Sequence, residues 1–146
     1  MFQVRKILVA TDFSPCSAAA LDRAADLAKT LQAEILLLHV LPNPTHYASF
    51  PQLVPMPHEW LETVRKEALD RLGKESRRIK GTVVRTELRE GPTHDAIVGA
   101  AEAAKADMIV IGTLGRSGVR HALLGSVAER VVRFSPVPVL TVRTRE

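Results

Sequence analysis

Apolar positions along the chain follow two alternating patterns: short unbroken runs, and longer stretches in which apolar or small residues return at helical spacing. Residues 4–10, centred on Ile7, Leu8 and Val9, and residues 35–40 (ILLLHV) are runs of the kind expected for strands buried on both faces, as in a parallel sheet. Residues 108–111 form a third such run. Residues 82–89 differ, because Val84, Thr86 and Leu88 alternate with Arg85, Glu87 and Arg89. That alternation predicts a strand with one solvated face at a sheet edge. Residues 137–142 make a last strand, and Pro138 within it cannot donate a ladder hydrogen bond, which also assigns an edge.

Helices fill the intervals. Ser14-Pro15 reads as an N-cap and a first helical position, and the helix runs to about Leu31. Its repeating stripe, Ala18, Leu21, Ala25, Ala28 and Leu31, is mostly small and suits close packing on a sheet. Residues 58–80 predict a charged amphipathic helix with Trp60 or Leu61, Val64, Ala68 and Leu72 inward, ended by Gly81. A third helix starts at Gly91-Pro92-Thr93 and reaches about Lys105; a fourth runs from Ser126 to about Phe134. Residues 41–57 hold five of the nine prolines and predict a long surface loop.

The resulting order, β-α-β-α-β-α-β-α-β, predicts an α/β fold: a five-stranded parallel sheet between two helical layers, with right-handed crossovers. Strands one, two and four read as interior and strands three and five as edges, which the spatial order 3-2-1-4-5 satisfies. Chain direction then reverses between strands one and four. Ligands in such sheets bind outside the carboxyl ends of the strands at that switch point. The expected crevice is therefore built from residues 10–12 and 111–126.

The second of those segments carries the chemistry. Strand, glycine loop and helix N-terminus follow one another with the spacing Gly112-x2-Gly115-x9-Gly125-Ser126. Unpaired N–H groups and a positive dipole end then face an anion. Neither the Lys-Ser/Thr of a phosphate-binding P-loop nor Gly-x-Gly-x-x-Gly is present. Arg116 and Arg120 lie inside the loop and can pair with phosphates. Glycines in a strand-to-helix loop also serve plain turns, so the spacing alone leaves both readings open. Ser126-x-x-Glu129 has the form of a capping box, which is compatible with an anion site on the same N–H groups. Asp12, at the end of the first strand, can accept hydrogen bonds from ribose hydroxyls or cap the turn at Ser14-Pro15.

Other constellations fall away. Gly115-Arg116-Ser117-Gly118-Val119 lacks the last glycine of a hydrolase elbow, and the five histidines show no metal-ligand spacing. His39 reads as a packed core residue, and no positioned base for activating water is visible.

Composition adds bounds. The 146 residues, 46% hydrophobic and 25% charged, are expected to form one domain spanning 1–146. Net charge is +4, which permits phosphate-bearing partners, while 4% aromatics give little for stacking on bases, so nucleic acid is not an expected partner. Cys16 is the single cysteine, so no intrachain disulfide forms and a reducing compartment is expected. The apolar run at the N-terminus is too short for a signal peptide and no stretch is long enough to span a bilayer, so the expected location is the cytoplasm, with no membrane partner.

Taken together, the glycine spacing with its continuation Ser126-Val127-Ala128-Glu129-Arg130-Val131 resembles the universal stress protein (UspA-like) family. So do Lys6-Ile7-Leu8-Val9-Ala10-Thr11-Asp12-Phe13-Ser14, Leu37-Leu38-His39-Val40, Gly91-Pro92 and Ala106-Asp107-Met108-Ile109-Val110-Ile111-Gly112. The resemblance covers essentially the whole chain. It implies a dimerising α/β fold whose ATP-binding branch wraps the phosphates in the glycine loop. Asp12 looks like the ribose-binding acid, with Ala10 and Thr11 beside it. Val40 looks like the residue whose backbone reads adenine, and Ile111, Gly112, Gly115, Gly125, Ser126 and Val127 like the phosphate and ribose wall. Arg116 stands at the family's usual loop arginine, and Leu114 where the family often has His. The family's last strand pairs with its twin across a dimer axis, a role residues 137–142 fit. The implied function is an ATP-binding, dimeric stress sensor or regulator, with Mg²⁺ as default companion ion. The competing readings are a slow ATPase, autophosphorylation at Ser117 or Ser126, and a nucleotide-free structural dimer module.

Overall fold

A computed structural model describes residues 1–42, 58–114 and 124–144. The proline-rich segment 43–57 and loop residues 115–123, with Gly115, Arg116 and Ser117, lie outside the described residues. The elements are β1 (Lys6–Ala10), α1 (Pro15–Leu31), β2 (Glu34–Leu41), α2 (His58–Arg78), β3 (Val84–Glu90), α3 (Thr93–Ala104), β4 (Met108–Gly112), α4 (Ser126–Phe134) and β5 (Val139–Val142). They build one parallel sheet in the order β3-β2-β1-β4-β5, as the apolar patterning predicts.

Strand alternation sorts the core into two layers, because successive side chains leave opposite faces of the sheet. Ile7, Val9, Ile35, Leu37 and Val110 pack with Ala20, Leu21, Ala24, Ala25 and Ala28 of α1 and Leu72 of α2. Leu8, Ala10, Leu38, Val40, Ile109 and Ile111 pack with Ile97, Ala100 and Ala101 of α3 and Ala128 and Val131 of α4. Both faces of β1 and β4 are thus covered, which explains why their sequences show no polar alternation.

Four local expectations are corrected. The buried stripe of α1 is Cys16, Ser17, Ala20, Leu21, Ala24, Ala25 and Ala28; Ala18 is only half-buried and Leu31 is exposed at the end of the helix. In α2 only Ala68 and Leu72 are buried, Leu61 and Val64 are half-buried, and Trp60 is exposed. That helix stops at Arg78 rather than near Lys80, and the following Ile79 packs against the core while Gly81 turns the chain at φ +85°. Finally, Pro138 lies just before β5 rather than within it: its carbonyl accepts from the Ile109 N–H at 2.9 Å, and its missing N–H is never needed.

Helix ends follow their caps. Ser14 Oγ accepts from the Ser17 N–H at 3.2 Å and Pro15 fills the first turn of α1, as the Ser-Pro pair predicts. Gln32 and Lys105 close α1 and α3 in the left-handed conformation. Among the described residues no helix is long and apolar enough to cross a membrane.

Candidate functional site

The carboxyl ends of β1, β2 and β4 open into a crevice of about 310 Å³. β1 and β4 are neighbours here although α1, β2, α2, β3 and α3 separate them in sequence, so this is the switch point of the sheet. Ala10, Thr11, Asp12, Val40, Ile111, Gly112, Gly125, Ser126 and Val127 all line it. Nine sequence-predicted site residues are therefore brought together from four separate segments. The remaining two, Gly115 and Arg116, lie outside the described residues.

One wall consists of β1, its following loop and the start of α1. Thr11 Oγ1 lies 3.0 Å from Ser17 Oγ and accepts from the Phe13 N–H at 3.0 Å. The Ser17 hydroxyl is also 3.3 Å from Ser14 Oγ and 3.0 Å from the Ser14 carbonyl. Asp12 Oδ1 accepts from the Ser14 N–H at 3.0 Å, so the turn role considered for this acid is real, while Asp12 still lines the crevice. Phe13 takes a left-handed conformation, φ +63°, unusual for an aromatic residue. Its ring lies 4.4 Å from the His39 ring and 4.3 Å beneath the Arg71 guanidinium of α2. His39 Nδ1 meets the Thr11 carbonyl at 2.7 Å; since a carbonyl only accepts, Nδ1 carries the proton.

The facing wall consists of β4, α4 and the first turn of α3. The N-cap of α4 is Gly125, which has no side chain to accept from the first N–H groups. Ser126 is therefore the first helical residue rather than the cap, and the expected capping box does not form: Glu129 instead accepts from Arg133 at 3.0 Å. Pro92 precedes α3 and likewise supplies no side-chain cap. Two helix N-termini thus reach this wall with their N–H groups uncapped by side chains, an arrangement favourable to negative charge. The apolar part of the crevice is formed by Leu38, Val40, Ile97 and Ile111.

The two glycines of the described cradle have different reasons. A Cβ on Gly112 would lie 2.9 Å from Cys16 Sγ and 3.1 Å from the Cys16 backbone, so β4 and α1 approach too closely for any side chain. Gly125 sits at φ −67°, ψ 163°, a conformation open to all residues, so its own backbone does not demand glycine.

A family profile described as the universal stress protein family matches residues 3–143. The chain belongs to the universal stress protein family. A universal stress protein of Methanocaldococcus jannaschii is 36% identical over 95% of this chain and 82% of its own length. Universal stress protein YxiE of Bacillus subtilis is 37% identical over 94% of this chain and 98% of its own. Among solved structures, that of MJ0577, another universal stress protein of M. jannaschii, superposes with a TM-score of 0.85 at 28% identity, covering 99% of both chains. A universal stress protein solved in complex with cAMP aligns at 29% identity with a TM-score of 0.65, covering 98% of this chain and 99% of that one.

Within this universal stress protein fold, the crevice includes residues that sequence reasoning passed over. His39 is buried, as expected for a packed residue, yet it also lines the crevice, because β2 ends beside the switch point. Thr93 enters with the first turn of α3, two residues after Gly91, whose φ of +130° makes the turn. Thr113 and Leu114 continue β4 into the loop. Position relative to the strand ends was the available signal for all of them. His94 pairs with Asp95 at 3.2 Å within the first turn of α3, and His58 is solvated. Among the described residues no group of acids, histidines and cysteines forms a metal site.

Proposed function

We propose that this universal stress protein binds an adenine nucleotide, ATP first among them, in the crevice between β1 and β4, and acts as a dimeric regulator in the cytoplasm. The observation that carries the reading is the convergence of Ala10, Asp12, Val40, Gly112, Gly125 and Ser126 on one crevice with an apolar end and an anion-favouring end. The apolar end, Leu38, Val40, Ile97 and Ile111, fits a base, and Asp12 fits ribose hydroxyls. The N-terminus of α4, with Ser126, fits phosphate. The solved relative with cAMP, at 29% identity, supports the same ligand class. A companion Mg²⁺ would be held by phosphate oxygens and water rather than by a carboxylate cage, since no such cage exists among the described residues.

Nucleotide occupancy is read out, in this proposal, by a change at the surface rather than by rapid turnover. The proposed dimer forms through the open edge of β5, where Leu140 is exposed. One domain, residues 1–146, carries both functions.

The test is mass spectrometry of nucleotide released from the acid-denatured protein, with calorimetric titration of ATP, ADP, AMP and cAMP. Co-purified adenine nucleotide or clear heat from ATP supports the reading; silence from all of them removes it. Sedimentation of Leu140→Glu tests the dimer: a folded monomer is expected, and an unchanged dimer would move the interface elsewhere.

A further inference from the structure

We infer that Thr113 is a phosphate-binding residue of this crevice, its hydroxyl held ready for an acceptor that none of the described residues supplies. The inference rests on the proposed reading of the crevice as a nucleotide site. Thr113 is 5% exposed and lines the crevice, and its Oγ1 is buried with no hydrogen-bond partner among the described residues. Buried side-chain hydroxyls almost always have a partner. Those of Thr11, Ser14 and Ser17, on the facing wall, are all bonded.

The main chain of Thr113 is held on both sides. Its N–H donates to the Val142 carbonyl at 2.9 Å, and its carbonyl accepts from the Gly125 N–H at 2.6 Å. The backbone is thus tied to β5 on one side and to the N-cap of α4 on the other. A valine would fill the same volume with no unpaired polar group. What distinguishes threonine is a donor placed beside the uncapped N-terminus of α4. A phosphate seated at that terminus brings acceptor oxygens to the same wall, and the Thr113 O–H donates to one of them. The residue thereby recognises the phosphate-bearing part of the ligand and not the base.

Thr113→Val and Thr113→Ser, in the full chain, test this by thermal unfolding without nucleotide and by titration with ATP, AMP and adenosine, the last measured by competition. Thr113→Val is expected to melt at or above the wild-type temperature. It should bind ATP and AMP about tenfold more weakly, as loss of a hydrogen bond to a charged acceptor implies, with adenosine affinity unchanged. Thr113→Ser should bind all three as wild type does. Equal ATP affinity in wild type and Thr113→Val overturns the inference, as does a matching loss for adenosine or a marked loss of stability, either of which would make the hydroxyl structural. A wild-type protein that binds none of the three removes the nucleotide reading and this inference with it, an outcome recognisable because the wild type itself is silent.

Discussion

The two walls of the crevice are built from the same residue types and behave differently. Along β1 and α1 the hydroxyls of Thr11, Ser14 and Ser17 bond to one another and to the local backbone, and Cys16 packs against Gly112 and lies 3.6 Å from the Val142 carbonyl. Along β4 and α4 a threonine hydroxyl is buried with no partner among the described residues, a helix begins at a glycine with no side-chain cap, and Ser126 lies exposed at the helix start. The first wall is complete as folded. The second, in the function proposed above, is completed by the phosphate of a nucleotide. The physical lesson is that polar residues at a strand end do not all belong to the ligand: the local turn takes those it can reach first.

Substitutions at the two glycines of the crevice separate packing against the first wall from approach of a ligand to the second most sharply. Gly112→Val should destabilise the fold by roughly 2–3 kcal/mol, because the new side chain meets the Cys16 backbone, which cannot retreat without shifting α1. Chemical denaturation measures it. Cys16→Ala should restore only the part owed to sulfur, since the backbone atoms at 3.1 Å remain. An unaltered unfolding midpoint would show that α1 and β4 can move apart freely.

Gly125→Val is the counterpart. Its backbone angles suit valine, so the change in stability should stay within about 1 kcal/mol, while nucleotide affinity falls by more than tenfold as the side chain occupies the approach of the phosphate. Parallel loss of stability and affinity would erase the contrast between the two glycines.

Asp12 stands on both walls' business, turn and ligand, and Asp12→Asn divides them. Asparagine keeps an oxygen for the Ser14 N–H, so the melting temperature should hold, while loss of charge toward ribose hydroxyls should weaken nucleotide binding by about threefold to tenfold. Full retention of affinity would leave Asp12 to the turn alone.

The smallest effect is expected outside the crevice lining, where α2 meets the end of β3. The hydrogen bond from Arg65 holds the Glu90 carboxyl below its usual range. A depressed carboxylate stabilises the fold above its unfolded pKa, and that contribution disappears as pH falls through the lower folded value. Both groups are exposed, so solvent screens the pair. Glu90→Gln should lower stability slightly at neutral pH, leave it unchanged in acid, and flatten the acid limb of the stability profile; equal loss at both pH values would point to packing instead of charge.

Much of this architecture was legible in the pattern of apolar runs. Ile7-Leu8-Val9 and Ile109-Val110-Ile111 read as strands covered on both faces, and the mixed character of residues 84–89 as an edge, assignments that the observed strand order satisfies. Ser14-Pro15 announced its cap because capping is a local bond between near neighbours. The error at Ser126 has the same origin: Ser-x-x-Glu is the right local signal, but helix α4 begins one residue earlier than a Ser126 cap requires, with Gly125 tied to the Thr113 carbonyl and Glu129 drawn to Arg133. The stripe of α1 was misplaced because alanine at several neighbouring positions gives little contrast between faces.

Periodicity, glycine spacing and strand-end acids were enough to name the fold, the family resemblance and the region of the site, since each depends on residues close in sequence or on a repeating pattern. Which hydroxyls are occupied, why Gly112 must lack a side chain, and why Thr113 finds no partner among the described residues depend on distances between α1, β4, β5 and α4. Those distances arise only when the parallel sheet brings together strands remote in sequence and packs helices onto both of its faces.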